Sequence, residues 1–357
     1  MAASRSSSVI PGGSKDESNA WYDHRHTDQW PTSRGHSNIQ QESDSGLSES
    51  KRMDGPVVAC VPNFSEGVDE ACVRAIVCAM RVEGVRLLDW SMDSDHNRSV
   101  VTIAGPPAAV VEAAIRAAGQ AAQSIDLTRQ QGVHPRIGAA DVIPFVPVSK
   151  ISLDQCALLA RQAGAEIWKR HGIPVYFYEA AAARPDRANL EDVRRGQFEH
   201  LREASRREPK RRPDVGGPGL HPTAGACAVG ARKFLVAYNI YFDSTDVSLV
   251  RAIAKDLRAS SGGLKGVKAM GVLAHGRAQL SMNITDLQAT PVSAVYARVC
   301  QLATRHKADP AEAEVIGLLP QLAYEQESEW MRLLDEFDPA TKVLERRLEA
   351  PQEWPEL

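Results

Sequence analysis

The sequence contains a histidine in a setting that suits acid–base chemistry, within the segment QGVHPRIGAADVIPF at residues 131–145. Histidine has an ordinary pKa of about 6.5, so it exchanges protons near neutral pH. Gly132 permits a turn, and Pro135 keeps His134 extended and outside a helix. The adjacent charge of Arg136 would lower the imidazole pKa. The pattern indicates a neutral general base at His134, and a loop histidine without a chemical role is the alternative interpretation.

A second candidate site is a glycine-rich segment that precedes the strand at 234–242. It lacks both the Lys-Ser/Thr of a Walker loop and the GxGxxG pattern. Glycines let backbone amides approach a ligand closely, and prolines limit the freedom of the loop. The segment predicts either a ligand-binding loop, with His221 as a contact, or a hinge between domains. Its glycines and prolines are Gly216, Gly217, Pro218, Gly219, Pro222, Gly225 and Gly230.

Polar residues also cluster between two predicted strands, in DWSMDSDHNRS at residues 89–99. A calcium loop would need a glycine at its sharp turn and a terminal bidentate glutamate, and both are missing. Six cysteines are present without the spacing of a metal site. We therefore predict no metal. The cluster is either a polar hairpin turn or a contact, through Asn97 and Arg98, to a carboxylate of an amino-acid substrate.

Basic residues are concentrated between residues 184 and 212, where nine arginines and one lysine outnumber the acidic residues. Charge runs are usually solvated, so this stretch is interpreted as a charged connector. The alternative is a basic rim for an anionic ligand.

Two α/β units in series must position these candidates, because strands and helices alternate in both halves of the chain. The order is β-α-β-β-α-β in each half, the split βαβ arrangement, with an additional helix and strand in the first. A crevice between two such units is the default ligand site. The predicted strands are 57–64, 85–90, 99–105, 141–148 and 174–178, then 234–242, 267–274, 278–285 and 314–319. The predicted helices include 106–125, one capped by Ser152 with Gln155, 246–260, and one capped by Thr290 with Pro291 first.

Composition indicates an ordinary globular protein, with 43% hydrophobic and 24% charged residues. A formal net charge of −3 lacks the basic excess of nucleic-acid-binding proteins. No apolar stretch reaches the roughly 20 residues of a membrane helix, and no secretory signal is evident. We expect a cytoplasmic protein with residues 1–55 as a disordered tail, one subdomain at 56–233 and another at 234–350.

Six motifs, in order, resemble glutamate formimidoyltransferase, the transferase part of formimidoyltransferase-cyclodeaminase and its stand-alone relatives. The resemblance covers residues from about 57 to 350. The motifs are CVPNFSEG (60–67), DHNRSVVTIAG (95–105), HPRIGAADVIPFVPV (134–148), IPVYFYEAAAARP (173–185), HPTAGACAVGARKFLVAYNI (221–240) and SMNITD (281–286).

The resemblance implies transfer of the formimidoyl group of N-formimidoyl-L-glutamate to tetrahydrofolate, the co-substrate, in histidine breakdown. It implies two ferredoxin-like α/β subdomains whose sheets face each other across a ligand tunnel, in a homodimer. The family's catalytic histidine matches His134. Its folate-binding loop matches Gly216, Gly217, Pro218, Gly219, Leu220, His221, Pro222, Thr223, Ala224 and Gly225.

Three positions depart from the family pattern. Val133 replaces a common glutamate, Ser91 replaces an aspartate that orients the histidine, and Ala224 replaces a common aromatic residue. Two alternatives therefore stay open: formyl transfer from N-formylglutamate, and a folate-binding protein without catalysis.

Overall fold

The structure is a computed structural model that describes residues 55–326, 329–334, 337–351 and 353–356. The predicted tail lies, apart from Gly55, outside the described residues. Among the described residues, two sheets and their helices belong to one compact unit. This confirms the mixed α/β class.

The first sheet has seven strands in the order β1-β4-β2-β5-β7-β6, with β3 beside β4. Strand β7 runs parallel to β5 and to β6, and the other pairs are antiparallel. The strands are β1 (Val57–Cys60), β2 (Asn63–Phe64), β3 (Arg86–Asp93), β4 (Arg98–Gly105), β5 (Ala140–Ser149), β6 (Val175–Glu179) and β7 (Cys227–Ala231).

Three helices form a hydrophobic core with one face of this sheet: α1 (Glu70–Ala79), α2 (Pro107–Ser124) and α3 (Leu153–His171). Their ends follow local rules. The Asp69 side chain caps α1, and the predicted capping box of Ser152 and Gln155 begins α3. Gly172, in the left-handed conformation, ends α3. The short helices α4 (Leu190–Val193) and α5 (Gln197–Arg207) follow β6.

The second sheet is antiparallel, with β8 (Val236–Phe242), β9 (Val267–Ala274), β10 (Arg277–Ile284) and β11 (Pro310–Ile316) in the order β11-β8-β10-β9. Helices α6 (Val247–Leu257) and α7 (Val292–Arg305) share its core. The order along the chain is the predicted β-α-β-β-α-β. Shorter helices follow at α8 (Gln321–Glu325), α9 (Pro339–Lys342) and α10 (Leu344–Glu349).

Strand alternation divides each sheet into a core face and a cavity face. In β4, Val101 and Ile103 lie in the first core, whereas Val100 and Thr102 line a cavity. In β8, Tyr238 and Ile240 belong to the second core, whereas Ala237 and Asn239 line the same cavity. Each sheet therefore has one face covered by helices, and residues of its opposite face line the cavity.

Several predicted boundaries were wrong. The predicted strand in 57–64 stops before Pro62, as expected of a residue without an N–H to donate, but Asn63–Phe64 form a further strand that was not predicted. The glycine-rich segment contains β7, which sequence analysis missed because Gly230 and the alanines around it lack β-branched character. Thr290 does not cap α7. Its hydroxyl donates to the Lys265 carbonyl at 2.7 Å, and the backbone of Pro291 occupies the capping position.

Candidate functional site

A cavity of about 550 Å³ is lined by residues of both sheets. Its size falls within the range of pockets that bind small molecules, roughly 300–1,000 Å³. The polar lining residues come from strands that the sequence places more than a hundred residues apart. They include Asn63, Ser91, Asp93, Arg98 and Thr102 from the first sheet and Asn239, Ser281, Asn283, Glu312 and Glu314 from the second.

His134 lies in the loop before β5 and lines this cavity. Its Nδ1 is 2.9 Å from the Pro135 carbonyl oxygen. A carbonyl only accepts hydrogen bonds, so Nδ1 carries the proton and the neutral ring has its lone pair on Nε2. Burial, with the nearby charges of Arg98 and Arg194, holds the imidazole pKa well below 6.5. His134 is therefore a neutral base at physiological pH.

The two arginines near His134 are held by one buried carboxylate. Arg98 Nη1 donates to Asp141 Oδ2 at 2.8 Å, and Arg194 donates to the same oxygen. The Ile137 amide donates to Asp141 Oδ1 at 2.8 Å. Burial opposes ionisation of Asp141, but Arg194 and Arg98 hold its pKa below the ordinary value. This cluster fixes two positive charges beside the histidine and ties the 137–141 loop to β4.

A second imidazole, that of His96, lies in the same cavity wall. Its ring centroid is 6.1 Å from that of His134. His96 Nε2 is 3.1 Å from Oε1 of Gln279 in β10, so the contact crosses from one sheet to the other. Gln279 Nε2 donates to Glu314 Oε1 at 3.1 Å. The oxygen of Glu314 also accepts from Asn239 at 2.9 Å and from the Tyr241 hydroxyl at 2.9 Å.

The hairpin turns of the two sheets meet beside this pair of histidines. His275, in the β9–β10 turn, lies with its Nε2 2.9 Å from Asp93 Oδ2, and its amide donates to Asp95 at 2.5 Å. The hydrogen bond from His275 and the charge of Asp93 raise the pKa of His275. Burial alone would raise the pKa of Asp93. The hydrogen bonds from the His96 amide and from His275 outweigh burial, so the pKa of Asp93 is lowered.

The sequence predicted that Asn97 and Arg98 could contact a substrate carboxylate. In the structure the two side chains have different surroundings. The Asn97 side chain is used internally: Oδ1 accepts from the Gly67 amide at 2.9 Å, and Nδ2 donates to the Gln131 carbonyl at 2.6 Å. It therefore fixes the loop that precedes His134. Arg98 lines the cavity, with Nε and Nη2 bound to Asn63 Oδ1 at 3.1 and 2.9 Å.

Of the described residues that line the cavity, none belongs to the predicted loop Gly216–Gly225. This loop packs against α3: a Cβ on Gly216 would lie 2.6 Å from Trp168 Cε3. Within it, His221 Nδ1 accepts from the Ala224 amide at 3.0 Å, which closes a turn. The loop does contact the segment that bears His134, since the Ala139 amide donates to the Ala224 carbonyl at 2.9 Å.

The basic stretch 184–212 contains arginines with internal contacts and one arginine that lines the cavity. Arg187 is buried and pairs with Asp214, and Arg211 donates to backbone carbonyls at 192, 193 and 195. Those arginines are structural. Arg194, by contrast, reaches the cavity. Elsewhere on the cavity wall, Lys268 Nζ lies 3.3 Å from Glu179 Oε1 and 3.2 Å from Glu191 Oε1.

Sequence analysis missed Gln279, Glu314 and Lys268. The signal available was the alternation in β10, where Gln279, Ser281 and Asn283 interrupt an apolar strand at every second position. Ser91 lines the cavity, but the hydrogen bond that orients His134 is the one that its Nδ1 donates to the Pro135 carbonyl.

In the part of the chain that the structure describes, no group of three or more His, Cys, Asp or Glu side chains could hold a metal ion. Among those same residues, no helix combines the length and apolar character needed to cross a bilayer.

Comparison with known proteins places the chain in a family. A model described as the formiminotransferase domain, N-terminal subdomain, matches residues 57–232, and one described as the formiminotransferase domain matches 237–345. The glutamate formimidoyltransferase of Streptococcus pyogenes serotype M1 is 40% identical over 82% of this chain and 98% of that protein. That of Thermoplasma acidophilum is 41% identical over 82% and 97%. The formimidoyltransferase-cyclodeaminase of Gallus gallus is 39% identical over 75% of this chain and 51% of that protein. These matches, which extend over both sheets and the cavity between their strands, establish that the chain belongs to the formiminotransferase domain family.

Proposed function

We propose that this protein is a glutamate formimidoyltransferase that moves the formimidoyl group of N-formimidoyl-L-glutamate to tetrahydrofolate, with His134 as the acid–base group. One observation carries the proposal: a neutral imidazole of fixed tautomer lines a ligand-sized cavity in a member of this family. The near-full-length relatives bear the name of this activity.

The reaction needs a bond between a folate ring nitrogen and the amidine carbon, and cleavage of the bond from that carbon to the glutamate nitrogen. As the folate nitrogen attacks, it loses a proton, and His134 Nε2 has the lone pair to accept it. The protonated imidazole then donates to the glutamate nitrogen as it leaves. Because Arg98 and Arg194 disfavour the charged ring, this second transfer is favourable. Acid–base help of this kind is typically worth about 10²–10⁴ in rate.

The cavity contributes by holding both substrates in one place. Both carry carboxylates, and cationic side chains that line the cavity suit them. Two of these cations, Arg232 and Lys342, form no salt bridge with another described residue. We assign them the attraction of the glutamate carboxylates. The sequence suggested this role for the basic stretch 184–212, of which Arg194 is the basic residue that lines the cavity.

Three finer expectations belong to this proposal. The first is that each sheet with its helices is a ferredoxin-like subdomain and that the cavity is part of a tunnel between facing sheets. The second is that the Gly216–Gly225 loop contacts folate from beside the His134 segment. The third is a homodimer, which light scattering after size exclusion would test by giving twice the mass of the chain.

The test is direct. The protein is incubated with N-formimidoyl-L-glutamate and tetrahydrofolate, and the absorbance of the methenyl-folate formed on acidification is measured. Product from wild type is expected. If wild type forms product with N-formylglutamate alone, formyl transfer is the function. Tight folate binding by calorimetry without turnover on either donor would assign a binding protein instead.

A further inference from the structure

The hydrogen bonds between the two sheets determine which nitrogen of His96 carries the proton. The Glu314 carboxylate only accepts hydrogen bonds, so the Gln279 amide must direct Nε2 toward it, and Gln279 Oε1 faces His96. An amide oxygen also only accepts. His96 Nε2 is therefore the donor, and in the neutral form of the ring Nδ1 carries the lone pair.

That lone pair is available to a ligand. Among the described residues, no hydrogen bond engages His96 Nδ1, and His96 lines the cavity 6.1 Å from His134, centroid to centroid. The neighbouring Arg98 guanidinium donates one hydrogen bond each from Nε, Nη1 and Nη2 to Asn63 and Asp141, which holds it in place beside the two imidazoles. The two imidazoles therefore present hydrogen-bond acceptors, His96 Nδ1 and His134 Nε2.

The charges of the residues that line the cavity also favour a ligand that donates hydrogen bonds. Of the acidic residues that line it, Asp93 pairs with His275, Glu179 and Glu191 with Lys268, and Glu312 with Arg277. Glu314 is different, because in the described part of the chain it has neutral hydrogen-bond donors and no salt bridge. Glu314 therefore contributes a carboxylate without an ion pair, connected to His96 through Gln279.

The two candidate donors, N-formimidoyl-L-glutamate and N-formyl-L-glutamate, differ in charge and in hydrogen bonding. A formimidoyl group is an amidine, which is protonated at neutral pH, so it is a cation with N–H donors. A formyl group is neutral, and its oxygen accepts hydrogen bonds. We propose that Glu314, Gln279 and His96 form a selectivity element that favours a formimidoyl donor over a formyl donor. The inference rests on the proposed function and names the residues that decide its donor class.

The test is the ratio of kcat/KM for N-formimidoyl-L-glutamate to kcat/KM for N-formyl-L-glutamate, with tetrahydrofolate as acceptor. Glu314→Gln removes the charge and keeps the shape, and His96→Phe keeps a ring without the acceptor. Each should lower the ratio about tenfold or more, the usual size of a charge-assisted hydrogen bond. His96→Asn, whose amide oxygen can occupy the place of Nδ1, should restore part of the ratio that His96→Phe loses.

Two matched controls carry the same kind of change on exposed helix positions. They are Glu203→Gln in α5 and His306→Gln at the end of α7, and both should keep the wild-type ratio. A purely structural role would lower both donors equally, so an unchanged ratio in Glu314→Gln and His96→Phe overturns the inference.

Failure of the proposed function gives a different result. If wild type transfers neither group, the activity is wrong, and the ratio of the two Kd values by calorimetry replaces the kinetic ratio. The selectivity element then predicts tighter binding of the formimidoyl compound in wild type and loss of that preference in Glu314→Gln. Equal Kd values in wild type overturn it.

Discussion

His96 and His134 lie with their ring centroids 6.1 Å apart on the wall of one cavity, and each ring is held by an acceptor that fixes its tautomer. For His134 the acceptor is the Pro135 carbonyl of its own loop. For His96 it is Gln279, a residue of the other sheet. The pair therefore depends on both halves of the chain, and several measurable properties follow from it.

Replacing His134 by alanine removes the proposed proton acceptor without disturbing the Asp141 cluster. The rate of formimidoyl transfer should fall about 10²–10⁴-fold. KM should change little, because the carboxylates are assigned to cationic side chains. Steady-state kinetics measure both quantities, with His306→Gln as a variant at an exposed histidine. A His134→Ala enzyme with wild-type kcat would remove His134 from the mechanism.

The pH profile of kcat/KM should report the lowered pKa of His134. Burial and the charges of Arg98 and Arg194 disfavour the imidazolium, so the base stays unprotonated as pH falls through 6.5. Activity should persist there and decline only at lower pH. Arg194→Gln removes one of these cations, so the acid limb of the kcat/KM profile of this variant should move to higher pH. An inflection at or above pH 6.5 in wild type would contradict the assignment.

Asp141→Asn should destabilise the fold strongly. The residue is fully buried and holds Arg98, which is buried, and Arg194, which is mostly buried, so the amide leaves both cations without their counter-charge. Loss of one partner of a buried ion pair costs about 3–5 kcal/mol in the free energy of unfolding. Urea denaturation measures it, and Asp256→Asn on the exposed side of α6 is the control. Equal midpoints for the two variants would show that Asp141 is not the electrostatic anchor of this cluster.

The contact between His275 and Asp93 should make stability depend on pH in a defined direction. The pKa of His275 is raised in the folded protein, so its contribution is complete below the ordinary value of 6.5 and disappears as pH rises through the raised pKa. His275→Gln should therefore lower the melting temperature more at pH 6 than at pH 9. Because the side chain is 44% exposed, solvent screens the pair and the difference should be below about 1 kcal/mol. A larger loss at pH 9 than at pH 6 would reverse the sign and exclude this pairing.

Trp168 can report whether the Gly216–Gly225 loop contacts folate. Its indole packs on Gly216 and is 39% exposed, so movement or contact of the loop should change its fluorescence. Tetrahydrofolate should shift the emission of wild type by an amount that is lost in Trp168→Phe. If calorimetry detects folate binding while the two proteins give the same fluorescence change, the loop does not take part.

Local patterns in the sequence were enough to predict most elements. The capping box of Ser152 and Gln155, the β9–β10 turn at His275-Gly276 and the helices of both halves depend on neighbouring residues, so they are readable from the chain. His134 was singled out by its loop residues Gly132 and Pro135 together with its place in the ordered family motifs. The short strand β2 and the missed strand β7 depend instead on pairing with distant strands.

The sequence by itself determined the α/β class and, through ordered motifs, the family, and it singled out His134 as the candidate acid–base residue. The tertiary structure decided which charges and tautomers surround that histidine. The pKa of an imidazole depends on burial and on charges within a few ångströms, and Arg194, Asp141 and Gln279 reach the site only when two sheets are folded. The contacts of the Glu314 carboxylate are likewise visible only in three dimensions, because its hydrogen-bond partners come from β8 and β10.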